Sequence, residues 1–251
     1  MIRCLILAAL LVLATSFSAQ AWLAQVPASG GGGGGTYSFI AAQSGTSGDT
    51  NNATSAAFDS SGCANCLIVA VWSAYQVGTV PTGVIDDKGN PYSCLTVSNT
   101  NTSNSEAICI SRATTVGAGH TVSTVGGNGD FPSIAVAAFS GSVASPTDVQ
   151  AVANSSGIAG VFISPGVTPS VVNELLVTGI SFNASSTAPT IDSGFTVPAN
   201  VFQNFVSGTG EGVSLAYLIQ TSIVSETPTW TTSTSVPGNN QLAASIATFK
   251  P

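Results

Sequence analysis

The sequence predicts an all-β fold: a two-sheet, jelly-roll-like β-sandwich built from two similar halves, preceded by a signal peptide and a glycine linker. Three observations carry this expectation. Short apolar or alternating runs recur from residue 37 to residue 251, with turn residues between them. Thr, Val and Ser dominate where a helix would need Ala, Leu, Glu and Lys. The order of runs over residues 66–141 returns over residues 174–251.

The chain opens with Arg3, an apolar run from Cys4 to Ala14, and Ser18-Ala19-Gln20-Ala21. Positive start, apolar core and small residues at the cleavage positions are the order of a secretory signal over residues 1–21. The run is shorter than the roughly 20 residues a membrane span needs, and no second long apolar run follows, so no span is expected in the mature chain. Ser29 precedes six glycines, Gly30 to Gly35. That makes residues 22–36 a flexible leader with no side chains to pack in its glycine part, and residues 37–251 the β-domain.

Tyr37 to Ala42 is the expected first strand. Cys66 to Tyr75, CLIVAVWSAY, is apolar on both faces and suits a strand covered on both sides. Asp86-Asp87-Lys88-Gly89-Asn90-Pro91 is a turn. His120 to Val125, Ser133 to Phe139, Glu174 to Phe182, Gly212 to Gln220 and Leu242 to Phe249 follow as strands; in the fourth of these Val213, Leu215, Tyr217 and Ile219 share one face. CLIVAVWSA with its Pro-Thr approach and Asp turn parallels ELLVTGISF with APTIDSG. Thr121–Thr124 matches Thr229–Thr232, and Phe139 matches Phe249. Two copies suit a sandwich whose halves each give strands to both sheets.

This order of an apolar strand, a D-x-x-G-N-x-Y turn, a strand ending A-x-F-S-G, and a second half running from E-L-L-V to I-A-x-F-K resembles a loosely defined family. Its members are uncharacterised β-sandwich domains of secreted bacterial and phage-encoded proteins. The resemblance spans about residues 37–251. It implies the fold and brings no catalytic residues with it.

Charged residues are 6% of the chain, against an average of about 25%. The net charge is −7. Lys88, Arg112 and Lys250 are the basic side chains left after the signal, too few for phosphate-backbone binding, so nucleic acid is not an expected partner. Cys63, Cys66, Cys94 and Cys109 remain in an oxidising route. Cys94 and Cys109 end a hairpin, CLTV-SNTNTSNS-EAIC, so the favoured pairing is Cys94–Cys109 with Cys63–Cys66. The spacing fits no common zinc module.

His120 is the single histidine, so a Ser-His-Asp triad would have to use it. No G-x-S-x-G elbow accompanies it, and a histidine at a strand edge reads as a surface residue. Glu174 and Glu211 begin strands and could converge as a glycosidase pair. Asp86, Asp87 and Asn90 could offer oxygens to calcium but depart from the EF-hand loop; turn chemistry alone explains them. Trp72 reads as core. Trp230, flanked by threonines, reads as the exposed aromatic, with Tyr75 and Tyr92 near loops, for stacking on sugar rings. No cofactor is expected. The function expected is that of a non-enzymatic extracellular structural or binding module: a surface, adhesive or virion-type protein whose partner is a glycan, a cell surface or itself. The alternative is a secreted carbohydrate-active enzyme using dispersed carboxylates.

Overall fold

The computed structural model describes residues 35–46, 52–75, 80–99, 104–126, 131–156, 160–183, 187–204, 211–233 and 241–251. The expected signal segment 1–21 and, apart from residues 35 and 36, the expected leader 22–36 lie outside them. The described residues contain strands and turns and no helix, so no helix long and apolar enough to cross a membrane occurs among them.

The first half contributes β1 (Ser38–Thr46), β2 (Cys66–Ala74), β3 (Pro81–Asp86), β4 (Ser93–Cys94), β5 (Ser98–Asn99), β6 (Ser105–Ala113), β7 (Val122–Gly126) and β8 (Ser133–Ser140). The second contributes β9 (Thr147–Ser156), β10 (Val161–Ile163), β11 (Glu174–Asn183), β12 (Thr190–Ile191), β13 (Gln203–Asn204), β14 (Glu211–Gln220), β15 (Thr229–Thr231) and β16 (Gln241–Phe249). Two large antiparallel sheets result, in the orders β1-β8-β2-β6-β4, with β5 also on β6, and β13-β14-β11-β16-β9. Two small sheets, β3-β7 and β10-β15-β12, complete the described set.

Each half therefore closes its own large sheet, where the sequence pattern suggested that each half would feed both sheets of a two-sheet sandwich. The reason lies in strands apolar on both faces. All nine residues of β2 are buried. Leu67, Val69 and Val71 point to the other half, packing with Phe139, Leu175, Val177, Leu215 and Phe249. Ile68, Ala70 and Trp72 point the other way, toward Val84 of β3 and Val122 of β7. A strand with two greasy faces needs two covers, because each large side chain taken from water stabilises the fold by about 1.5–3 kcal/mol. The second large sheet is covered likewise: Leu176, Ile180, Phe182 and Ile246 pack with Phe162 of β10 and Trp230 of β15. Successive side chains alternate between these covers because the strand period is two.

The two large sheets share one wiring. In each, the last strand of the half lies beside its first two-faced strand, and Leu67 faces Phe139 as Leu175 faces Phe249. Cys66 and Glu174 thus occupy matching first positions of β2 and β11.

Between the two large sheets the packing changes character along the strands. One end is filled by Phe139, Phe249 and Tyr37. Farther along stands Glu106, fully buried, with Ser245 Oγ donating to its Oε1 at 2.7 Å. Gly179 faces them with no side chain. A Cβ there would lie 2.5 Å from Glu106 Oε1 and nearer still to Val71 Cγ1, so the close approach of β11 requires glycine.

Candidate functional site

The Asp86 turn organises the first polar centre. Asp86 Oδ1 accepts the backbone N–H groups of Lys88 (3.1 Å) and Asn90 (2.9 Å), and Oδ2 accepts from Asn90 Nδ2 (2.7 Å) and Tyr92 Oη (3.3 Å). Asn90 Oδ1 in turn accepts the N–H groups of Thr114 and Thr115. Asp87 Oδ1 accepts the Thr121 N–H, and its Oδ2 lies 3.0 Å from Lys88 Nζ. These oxygens face donors, as an Asx turn requires, so the turn reading accounts for Asp86, Asp87 and Asn90 without calcium. Among the described residues no three His, Cys, Asp or Glu side chains are grouped to hold a metal.

His120 belongs to this centre. The sequence suggested a surface residue; the ring is fully buried, stacked on Phe58 at 5.0 Å and 11°. Its Nε2 lies 3.0 Å from Asp86 Oδ2, and its Nδ1 2.9 Å from Ser60 Oγ. The strand-edge pattern misled because the segment before β2 crosses over β7, bridging Phe58 to His120 and Thr54 to Ser123, and seals that edge. Since Asp86 accepts, Nε2 carries a proton. Ser60 Oγ, 2.9 Å from Nδ1, also donates to Gly117 O at 3.1 Å.

A serine, a histidine and an aspartate in one chain have the connectivity of a hydrolase triad, with the ring nitrogens exchanged relative to the serine-protease arrangement. Ser60 Oγ is fully buried and also accepts the Gly117 N–H at 3.0 Å. A nucleophile needs space for a carbonyl and donors aimed at its oxyanion. Here the serine's neighbours are the ring and the Gly117 backbone. The chain ties residues 58–60, 86–92 and 117–120 together. Burial works to raise the pKa of Asp86, but hydrogen bonds from Asn90 and His120 outweigh it and hold the carboxyl below its ordinary range.

The cysteines pair as Cys63–Cys66 and Cys94–Cys109, the latter between directly opposed residues of β4 and β6. Trp72 is core. Trp230 is core too, which corrects its reading as an exposed platform: it is fully buried, and its Nε1–H donates to Thr178 Oγ1 at 3.2 Å. The flanking threonines point outward by strand alternation while the indole plugs the gap over β11. Tyr75 is half-buried and meets Phe131 edge-on at 6.3 Å. Half-buried Tyr92 gives its hydroxyl to Asp86. Burial, with Asp86 adding to it, pushes that phenol well above its usual range. The aromatic the sequence reading missed is Phe39, 38% exposed and stacked on Tyr217 at 5.3 Å and 4°. The signal available was Phe39 in the first strand; its partner 178 residues along was not readable without the sheet order. A groove of about 240 Å³ lies between Pro91, Ser93, Ile110, Arg112, Ala144 and Pro146.

Glu174 and Glu211 do not converge. They stand at opposite ends of the β11–β14 ladder, Glu174 facing Gln220 and Asn183 facing Glu211, which separates their backbones by roughly 30 Å at about 3.3 Å per residue. Glu174 instead joins Asp148. The Ser170 N–H is shared between Asp148 Oδ2 (2.9 Å) and Glu174 Oε1 (3.0 Å), and Lys250 Nζ lies 2.7 Å from Asp148 Oδ1. Comparison of the chain with protein-family models, with curated proteins and with solved structures finds no match.

Proposed function

We propose that the chain is an exported structural or binding module of the extracellular space, whose partner is a glycan, a cell-surface group or a second copy of itself. The observation that carries this reading is how the chemically capable side chains are spent. Ser60, His120, Asp86, Tyr92 and Trp230 are engaged inside the fold. The disulfides fit an oxidising compartment. The two-faced strands and their double covers suit a body that holds its shape. Phe39 against Tyr217 is the half-exposed aromatic pair suited to an apolar sugar face.

The test is retention of the full chain on a panel of polysaccharides and on cell surfaces, with released reducing sugar measured in parallel. Retention without release is expected, with Phe39→Ala weakening it by about 1 kcal/mol or more if the ring is a central contact. Sugar release lost in Glu174→Gln would overturn the reading in favour of a carboxylate-using enzyme.

A further inference from the structure

We propose that the groove beside the crossover between the two halves binds the carboxylate of an acidic sugar residue, held by the guanidinium of Arg112. This rests on the reading of the chain as a glycan-binding module and names the class of glycan. The floor is β6, with Ile110 and Arg112. Ser93 of β4, paired with Ile110, and Pro91 form one wall. Ala144 and Pro146 form the other, on the segment that leaves β8 at Ser140 and enters β9 at Thr147. The volume is about 240 Å³, less than the roughly 300–1,000 Å³ of a drug-sized site, which is the scale of a single sugar residue.

The guanidinium is set in place by the fold itself. Its Nε donates to Val143 O at 2.9 Å, and Nη2 donates to Asn65 Oδ1 at 3.1 Å. Asn65 is fixed in turn: its backbone is left-handed, with φ 48°, and its carbonyl accepts the Ser142 N–H at 3.0 Å. One edge of the planar group is thus spent on two carbonyl oxygens. Nη1 and the second hydrogen of Nη2 remain, side by side at the end of the fork. Such a pair of donors takes both oxygens of a carboxylate in two parallel bonds. A side chain already held loses little freedom on binding.

Among the described residues Arg112 pairs with no carboxylate, whereas Lys88 and Lys250 lie 3.0 and 2.7 Å from Asp87 and Asp148. In a chain with eleven acidic residues and a net charge of −7, a half-buried guanidinium left without an acid is the exception. It is the one cation among the residues lining the groove. A single positive group matches the single charge of a carboxylate better than a phosphate, which carries about −1.5 to −2. The rest of the lining is Pro91, Ile110, Ala144, Pro146 and the hydroxyl of Ser93. Apolar walls with a few placed polar groups suit the C–H face of a sugar ring held by its acid.

The experiment is titration calorimetry of the full chain with methyl glucuronide, methyl glucoside and N-acetylalanine. Methyl glucuronide should bind, and methyl glucoside, the same ring without the acid, should bind about tenfold more weakly or less. Arg112→Lys keeps the charge and loses the fork, so it should weaken methyl glucuronide by about tenfold or more. Ala144→Phe fills the groove while leaving the bonds of Arg112 in place. It should abolish binding, and it decides the matter if Arg112→Lys fails to fold. Lys88→Gln removes a cation outside the groove and should bind as the wild type does. Methyl glucuronide bound equally by wild type and Ala144→Phe overturns the proposal, as does equal affinity for the glucuronide and the glucoside. N-acetylalanine bound as tightly as methyl glucuronide overturns it too, in favour of a peptide C-terminus. Retention on neutral polysaccharides is measured in parallel. If it persists while methyl glucuronide fails to bind, the carboxylate site falls and the glycan-binding reading stands. If methyl glucuronide fails and no polysaccharide or cell surface retains the chain, both fall.

Discussion

Ser245 of β16 and Glu106 of β6 meet across the gap between the two large sheets, the serine hydroxyl donating to Glu106 Oε1 at 2.7 Å. Each half supplies one partner. The contact is polar and fully enclosed, and it stands beside the place where Gly179 brings the two backbones close.

Glu106 makes the joint pH-sensitive. Burial pushes its carboxyl from the ordinary 4.5 up to about 8, against a smaller opposing effect of the Ser245 hydrogen bond. The folded protein therefore favours the protonated acid. The stability tied to this group is complete below pH 4.5 and falls as pH rises between 4.5 and about 8. With about 1.4 kcal/mol per pKa unit, the loss by neutral pH is on the order of 3 kcal/mol. Glu106→Gln should flatten this slope. Urea midpoints at about pH 5 and about pH 7.5 measure it; equal slopes in variant and wild type would refute the assignment.

Gly179→Ala should destabilise by about 1–3 kcal/mol, since the new methyl overlaps Val71 and Glu106. Gly83, which has open space where a Cβ would go, is the control. Thermal melts of both alanine variants compare them, and a Gly179→Ala protein as stable as wild type would contradict the tight approach.

His120→Ala should cost about 3–5 kcal/mol, because it strips a buried partner from Asp86. Trp230→Ala should cost a similar amount by opening a cavity over β11. Denaturant unfolding reads both. A His120→Ala protein of unchanged stability would show that the Ser60–His120–Asp86 chain is not what ties its three segments.

The two disulfides should contribute unequally. The Cys94–Cys109 loop has a sequence separation of 15, for which chain entropy predicts about 3 kcal/mol. The Cys63–Cys66 loop, with a separation of 3, predicts about 2 kcal/mol. Paired Cys→Ser variants compared by melting temperature test the order; a larger loss for Cys63/Cys66 reverses it.

The strands apolar on both faces were readable because their composition states their environment: CLIVAVWSA, SIAVAAF and ELLVTGISF lie where their patterns put them. β9, TDVQAVANSS, escaped notice. It is an edge strand whose Asp148, Gln150 and Asn154 give it the look of a loop. The number of sheets was not readable either, since a two-faced strand says that it has two covers and not which segments supply them. For His120 and Trp230 the local sequence describes neighbours along the chain. Their burial is decided by residues 58–60 and by Thr178 of β11. Asp148, Glu174 and Lys250 are 102 residues apart at their extremes, and only the order β11-β16-β9 makes them one cluster.

The outermost position of β1 and the inner position of β16 give the molecule a mechanical polarity. β1 is held by one neighbour, β8, whereas β16 lies between β11 and β9. A pull through the segment before Ser38 bears on one ladder, and a pull through Lys250 bears on two. For the same direction of force, the β1 end has fewer bonds to break before it parts from its sheet.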